Sequence, residues 1–269
     1  MNTAEGVADG LASYRRGQGW LGRDLRYIPT LPSTNDHLLQ LAEAGAEAGL
    51  VVLAEAQTAG RGRGDRRWFA PPGTALLMSM LFRPQEPFGY HALRTTMVVG
   101  LALLESVQSV TGLPVTLKWP NDLILEEDGW WKLAGMLSEV GGAGSDFLVV
   151  GVGLNVNVTQ AQLTTLAPRA MSLMARLGRP VDRVALLDAF LERTEELCGC
   201  LEGGWDPLPA WRERLAWLGQ AVEVRTPTEV VRGVAETVDD KGALVLRTLQ
   251  GGQRCFSAGD VSLRMARSG

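Results

Sequence analysis

The sequence predicts an α+β chain: a mixed β-sheet with flanking helices, followed by a small, separate β domain. Three observations carry this. Up to residue 217, apolar runs of strand length are interleaved with capped, helically patterned segments. The composition changes at Leu218-Gly219, and only short β-type runs follow. Among those runs, Asp239-Asp240-Lys241-Gly242 has the composition of a turn. At 269 residues the chain has room for one large domain and a small one, divided as an arm over 1–24, a main domain over 25–217 and a small domain over 218–269.

Residues 1–24 are rich in Gly and Ala and weakly patterned, so they read as a short helix or a loose arm. Ser33 is placed as an N-cap with Asp36 three residues on, a variant of the capping box. The helix runs on through Ala42 and stops at Gly45. Residues 49–56 and 74–82 read as buried strands around a glycine- and arginine-rich loop, 57–73. Residues 88–111 read as a long apolar helix ended by Gly112 and Pro114. Strands then flank Glu126-Glu127-Asp128-Gly129, a hairpin turn by composition. Residues 147–158 are a further strand, and 160–217 read as helical with Val184, Leu187, Phe190 and Leu191 on one face. The later β runs are 221–225, 230–238, 243–248 and 253–257, expected to close into a small barrel.

A net charge of -4 argues against a constitutive nucleic-acid binder. Cys198, Cys200 and Cys255, with His37 and His91 far away in sequence, do not make a structural zinc site. An odd cysteine count without a framework suits a reducing compartment. The N-terminus lacks a signal pattern, and no window reaches the ~18 uninterrupted apolar residues of a membrane span. The expected location is cytoplasmic, with no membrane partner.

Three polar constellations stand out against this background. Lys118-Trp119-Pro120-Asn121-Asp122, followed by Lys132-Leu133-Ala134-Gly135, sets two lysines, an amide and a carboxylate in apolar, strand-like sequence. Pro120 keeps Trp119 out of the helical region and lacks a backbone donor, so the strand should break where polar side chains face a cavity. Gln57 to Trp68 carries four arginines and three alternating glycines. The glycines allow close backbone approach and the arginines supply forked donors for carboxylate or phosphate. The spacing is neither G-x-G-x-x-G nor a Walker loop. Gly151-Val152-Gly153-Leu154-Asn155 adds an amide just past two glycines, which alone reads as a bulge.

Together with Ser33-Thr34-Asn35 and the closing Gly259-Asp260-Val261-Ser262-Leu263-Arg264, these segments resemble the biotin–protein ligases, in the family's order, over residues 25–264. The resemblance implies a class II synthetase-like catalytic domain with an SH3-like C-terminal barrel. It also implies an ATP-dependent activity that makes biotinyl-5'-AMP, releases pyrophosphate, and passes biotin to a lysine of the biotin carboxyl carrier domain of acetyl-CoA carboxylase or a related carboxylase. Ser33, Thr34, Asn35 and Gln57 would bind the ureido ring. Gly60 to Gly64 would close over the biotin tail and phosphate, with Arg61 and Arg63 on the anion and Gly62 and Gly135 beside the biotin. Lys132 would lie beside the biotin carboxylate and the α-phosphate. Lys118, Asn121, Asp122, Asn155 and Arg264 would face the nucleotide, and Mg²⁺ would enter with the ATP phosphates, its protein ligands unknown. Asp122 is a candidate base for the acceptor lysine. About 24 residues are too few for the DNA-binding domain that many relatives carry, so no DNA binding is expected, and the chain is expected as a monomer or homodimer. Asp65 could pair with Arg66 or Arg67. Trp130-Trp131 could be core, ligand wall or partner surface. The rival readings are a lipoate or octanoate ligase or transferase of the same fold, a biotin-sensing regulator without catalysis, and a nucleic-acid binder using the arginine loop.

Overall fold

The computed structural model describes residues 10–142, 146–257 and 262–265, the last segment as backbone. Its centre is a seven-stranded sheet in the order β1-β2-β3-β7-β6-β5-β4. The strands are β1 (Leu25–Leu31), β2 (Val51–Gln57), β3 (Ala75–Phe82), β4 (Val115–Lys118), β5 (Asp122–Leu125), β6 (Trp131–Gly141) and β7 (Phe147–Asn155). β1 and β2 run parallel and every other neighbouring pair is antiparallel, which makes the sheet mixed. β1 has no counterpart in the sequence reading: Pro29 interrupts its pattern, and an edge strand tolerates a proline that an inner strand would not.

Both faces of the sheet are covered. Val51, Leu53, Leu76, Met78 and Met80 turn to one core cluster, and Val52, Ala54, Leu77 and Leu81 to a second. Helices α2 (Phe88–Thr111) and α5 (Arg183–Glu202) pack against each other over the first face. Helix α1 (Thr34–Glu43) covers part of the second, against β2, β3 and β7. The Ser33 cap forms as the sequence predicts, its Oγ accepting from the Asp36 N–H at 3.3 Å.

The helical stretch after β7 is broken into α3 (Gln160–Leu166), α4 (Leu173–Leu177), α5 and α6 (Leu208–Glu213). Pro168 and Pro180 fall in the first two interruptions, where each lacks a helical donor; α5 ends at Gly203-Gly204, and Pro207 starts α6, where a missing donor is harmless. Leu187, Phe190 and Leu191 are buried on α5 as their spacing implies, and Val184 is partly buried. In the arm, the described part is a 3-10 turn, Leu11–Ser13, followed by irregular chain. It is docked rather than loose: Leu11 and Leu21 are buried and the Tyr14 hydroxyl donates to Asp188 at 2.6 Å.

Strands β8 (Ala221–Arg225), β9 (Val230–Val238), β10 (Leu244–Thr248), β11 (Gln253–Phe256) and β12 (Ser262–Met265) form a second, antiparallel sheet in the order β11-β10-β9-β8-β12. Its β9–β10 turn grips the main domain. The Trp119 indole donates to the Gly242 carbonyl at 3.0 Å, and Arg94 donates to the Asp240 carbonyl at 2.9 Å while pairing with Asp206 at 2.8 Å. Gly242 sits at φ +78 with Leu93 packed close beside it, so both its conformation and its space call for glycine. At the joint, Trp217 donates to Glu126 at 2.7 Å and meets Trp130 edge-on. No helix among the described residues is long and apolar enough to cross a membrane.

Candidate active site

A cleft of about 1480 Å³ opens between the second face of the main sheet and the small sheet. Its first end is a neutral polar pocket. Thr34 and Asn35 enter it from the first turn of α1 and Gln57 from the end of β2, while Ser79 of β3 lies fully buried behind them. Gln57 Oε1 accepts from the Thr34 N–H at 2.7 Å and from its hydroxyl at 3.1 Å. That orients the Gln57 amide so that its Nε2 donor remains for a ligand. Ser79 Oγ lies 2.8 Å from Thr34 Oγ1 and 2.5 Å from Asn35 Oδ1, and its one proton goes to one of them at a time. Asn35 Nδ2 donates to the Leu137 carbonyl at 3.1 Å and to Glu139 at 2.8 Å. Both amide hydrogens of Asn35 are thus engaged by protein, so the side chain ties α1 to β6.

Glycine is required beneath Asn35. A Cβ on Gly151 would overlap the Asn35 amide, which has partners on every side. We expect Gly151→Ala to lower stability by about 1–3 kcal/mol through overpacking. Denaturant unfolding reads this, and an unchanged midpoint would mean that Asn35 can retreat.

The centre of the cleft is ionic. Lys118 closes the β4–β5 hairpin opposite Asp122, and Asp122 lies opposite Gly135 on β6. The strand does break at Trp119-Pro120-Asn121, as the proline implies, and the break is a tight turn. Asp122 accepts from both lysines, with Lys132 Nζ at 2.6 Å and Lys118 Nζ at 3.4 Å. Side-chain exposure is 5% for Lys118, 10% for Asp122 and 29% for Lys132, so only Lys132 presents its ammonium freely to the cleft. Burial alone would push the Asp122 carboxyl up, but Lys132 and Lys118 outweigh it and hold it below the usual carboxylate range. Burial pushes the Lys118 ammonium below its ordinary value, with Asp122 working against the shift. An ionised Asp122 shared by two lysines is a weak base and a strong orienting anion.

The arginine loop folds into a small hairpin. Gly62 N–H donates to the Arg66 carbonyl at 2.7 Å, Trp68 N–H donates to the Gly60 carbonyl at 2.9 Å, and Arg61 bridges to Arg67. Arg61 is turned onto two carboxylates, Asp36 at 2.7 Å and Glu139 at 2.5 Å. Arg63 donates to Asn121 Oδ1 at 3.3 Å. Asp65 forms no ion pair with Arg66 or Arg67 among the described residues. The Trp68 ring lies over Gly153, whose Cβ would stand 2.5 Å from it, and beside Gly135, the direct cross-strand neighbour of Gly153. Lys132 Nζ is 5.5 Å from that ring's centroid. The Trp68 Nε1 is buried without an acceptor, an uncommon state that a ligand oxygen would relieve.

At the far end Asn155 lines the cleft and donates to the Met171 carbonyl at 3.2 Å. Trp130 is a cleft wall with Lys118 and Arg169 over its ring at 5.3 and 5.4 Å, whereas Trp131 donates to the Glu127 carbonyl. The small sheet contributes Glu223, Arg225 and Arg232, and both arginines pair with Glu223. Arg264 stands at the register position opposite Glu223 on β12; its side chain and residues 259–261 lie outside the described residues.

The cleft therefore gathers Ser33, Thr34, Asn35, Gln57, Arg61, Gly62, Arg63, Asn121, Asp122, Lys132, Gly135 and Asn155 along one wall, with Lys118 behind Asp122. Sequence reasoning missed Trp68, Ser79, Glu139 and the Glu223 cluster. Ser79 had a signal: it is the one polar residue in the eight of β3, all of them buried.

Comparison with known proteins shows the family. The model of the biotin/lipoate A/B protein ligase family matches residues 27–157, and that of the biotin protein ligase C terminal domain matches residues 217–264. The biotin–[acetyl-CoA-carboxylase] ligase of Mycobacterium tuberculosis is 37% identical over 91% of this chain and 90% of that protein. The enzyme of the same name from Paracoccus denitrificans is 34% identical over 82% of this chain and 93% of its own. The bifunctional ligase/repressor BirA of Bacillus subtilis is 29% identical, and the match spans 75% of its length. The biotin protein ligase of Aquifex aeolicus, solved with biotin and ATP, superposes with a TM-score of 0.75 at 27% identity, covering 91% of this chain and all of that one. The chain belongs to the biotin protein ligase family and is a ligase.

Proposed function

We propose that the protein activates biotin with ATP to biotinyl-5'-AMP, releasing pyrophosphate, and then transfers the biotinyl group to a lysine of the biotin carboxyl carrier domain of a carboxylase. The observation that carries this reading is the sequence of environments along one cleft. A neutral hydroxyl and amide pocket leads to the Lys132–Asp122–Lys118 cluster, and then to a wall of Trp130, Arg169, Arg225 and Arg232.

In the first step a biotin carboxylate oxygen bonds to the α-phosphorus as the bond to pyrophosphate breaks, so two anions must meet. Lys132, oriented by Asp122 and the more exposed of the two lysines, serves the carboxylate and α-phosphate. Ser33, Thr34 and Gln57 suit the uncharged ureido head, with Asn35 supporting them. Lys118, Arg63, Asn121, Asn155 and Arg264 are the nucleotide-side groups. The described residues contain no cluster of three His, Cys, Asp or Glu side chains able to cage a metal. Magnesium would therefore arrive on the ATP phosphates, where it supplies charge neutralisation. In the second step the acceptor amine bonds to the acyl carbon, AMP leaves, and the nitrogen gives up a proton. Asp122, held below the carboxylate range, orients Lys132 better than it takes that proton. None of the three cysteines lines the cleft, and burial pushes the Cys198 thiol up to about 12, which suits a ligase rather than a cysteine-dependent transferase.

The test is one assay: MgATP and biotin, with and without a biotin carboxyl carrier domain, followed by mass spectrometry. We expect biotinyl-5'-AMP in the first case and an acceptor heavier by one biotinyl group in the second. Product from lipoate or octanoate but none from biotin would overturn the reading, and adenylate without transfer would leave a sensor.

A further inference from the structure

We propose that Glu139, with Asp36, is a positioning residue that latches the arginine hairpin across the neutral end of the cleft. It would thereby set biotin affinity and the retention of the adenylate. The inference rests on the reading of the cleft as a biotin-activating site.

Glu139 is not itself part of the cleft lining, yet one of its oxygens serves two groups that are. Oε2 accepts from Asn35 Nδ2 at 2.8 Å and from Arg61 Nη2 at 2.5 Å. The same Arg61 nitrogen is 2.7 Å from Asp36 Oδ1. Asn35 and Asp36 are successive residues of α1, and Glu139 is on β6, so Arg61 is the pin between a helix, a strand and the hairpin. The hairpin is tied together as one piece at that pin. Its limbs are joined by the Gly62–Arg66 and Gly60–Trp68 hydrogen bonds, and Trp68 reaches the sheet floor at Gly153. A charged pair at the first limb therefore biases the closure of the whole hairpin. Such closure protects the mixed anhydride from water. Because the latch forms from protein groups alone, part of the ordering cost is met before biotin arrives, and affinity rises accordingly.

Glu139→Gln tests this, because a glutamine oxygen can still accept from Asn35 while the ion pair to Arg61 is lost. The first readout needs no ligand: tryptic cleavage after Arg61, Arg63, Arg66 or Arg67 reports the open population of the hairpin. Each of Glu139→Gln and Asp36→Asn should speed that cleavage about threefold, as partly exposed ion pairs do. The double variant should exceed either single one, and because both pairs share one Arg61 nitrogen its effect should differ from their product of about tenfold. Arg61→Met should match the double variant, and adding Glu139→Gln to it should change nothing further. With biotin, KM should rise and biotinyl-5'-AMP escape should quicken by the same factors, with kcat at saturating biotin changing less. Unchanged cleavage in the double variant would overturn the latch. So would faster cleavage spread over the whole chain, or a fall in kcat with KM unmoved, either of which marks a merely structural carboxylate. If the unaltered protein makes no biotinyl-5'-AMP, the functional reading falls while the cleavage rates still decide the latch.

Discussion

Replacing Lys132 by Ala should slow pyrophosphate release at saturating biotin and ATP by about 10²–10³-fold, the usual effect of removing one donor aimed at developing charge. The geometry makes the lysine hard to replace. Its Nζ is held 2.6 Å from Asp122 while 29% of the side chain still faces the cleft, so it is both oriented and available. Lys118 cannot substitute, because its side chain is 5% exposed and its ammonium is committed to the far oxygen of Asp122. Lys132→Arg should recover little, since a forked guanidinium in that space would crowd the Trp68 ring and Gly135. The loss should fall on adenylation. With biotinyl-5'-AMP supplied directly, transfer to the carrier domain should be less affected. Near-normal pyrophosphate release from Lys132→Ala would reject the role.

That the cleft would hold these residues was legible because its parts are local signals. Ser33 caps a helix by a rule of sequence, and the lysines, amide and carboxylate cluster around a proline that must break a strand. What was not legible depended on register. Gly135 and Gly153 form a bare floor for Trp68 only because β6 and β7 pair them directly, and nothing in either strand fixes that pairing in advance. The family resemblance implies Arg61 on an anionic ligand, and its residue type suits that place. Its actual partners, Asp36 and Glu139, come from a helix and a strand well separated from it in sequence. Strand β1 is not legible in the sequence because Pro29 would break an inner strand, and whether a strand lies at an edge is a property of the finished sheet. The interrupted helices of residues 160–213 lie between these cases: the apolar pattern runs on past Pro168, Pro180 and Gly203-Gly204, while the backbone at those positions stops each helix.

Removing Asp122 should cost more than activity. Asp122→Ala leaves Lys118 almost wholly buried with no anion beside it, a change that costs about 3–5 kcal/mol in buried pairs. The pH dependence follows from the directions of the two shifts. Because the folded Asp122 titrates below its unfolded value, its stabilisation is fully present above about pH 3.9 and is lost as pH falls through the lower folded value. The variant should therefore lack part of the acid unfolding limb. Lys118 shifts in the same direction, so its slope with pH has the same sign, but its contribution is a penalty rather than a gain. Its folded value is depressed by burial, so its protonation is a penalty that is largest below that value and relieved as pH climbs toward about 10.4. Without Asp122 the penalty grows, and the variant should gain stability on the alkaline side more steeply than the parent protein. Adding Lys118→Met removes the stranded charge and should return much of the loss, since an apolar replacement of a buried pair is commonly neutral or stabilising. Denaturant unfolding of the three proteins across pH decides the matter. A loss below about 1 kcal/mol at pH 7, the range of exposed pairs, would mean that Lys118 escapes to solvent once its partner is gone and that the pair is less confined than its burial implies.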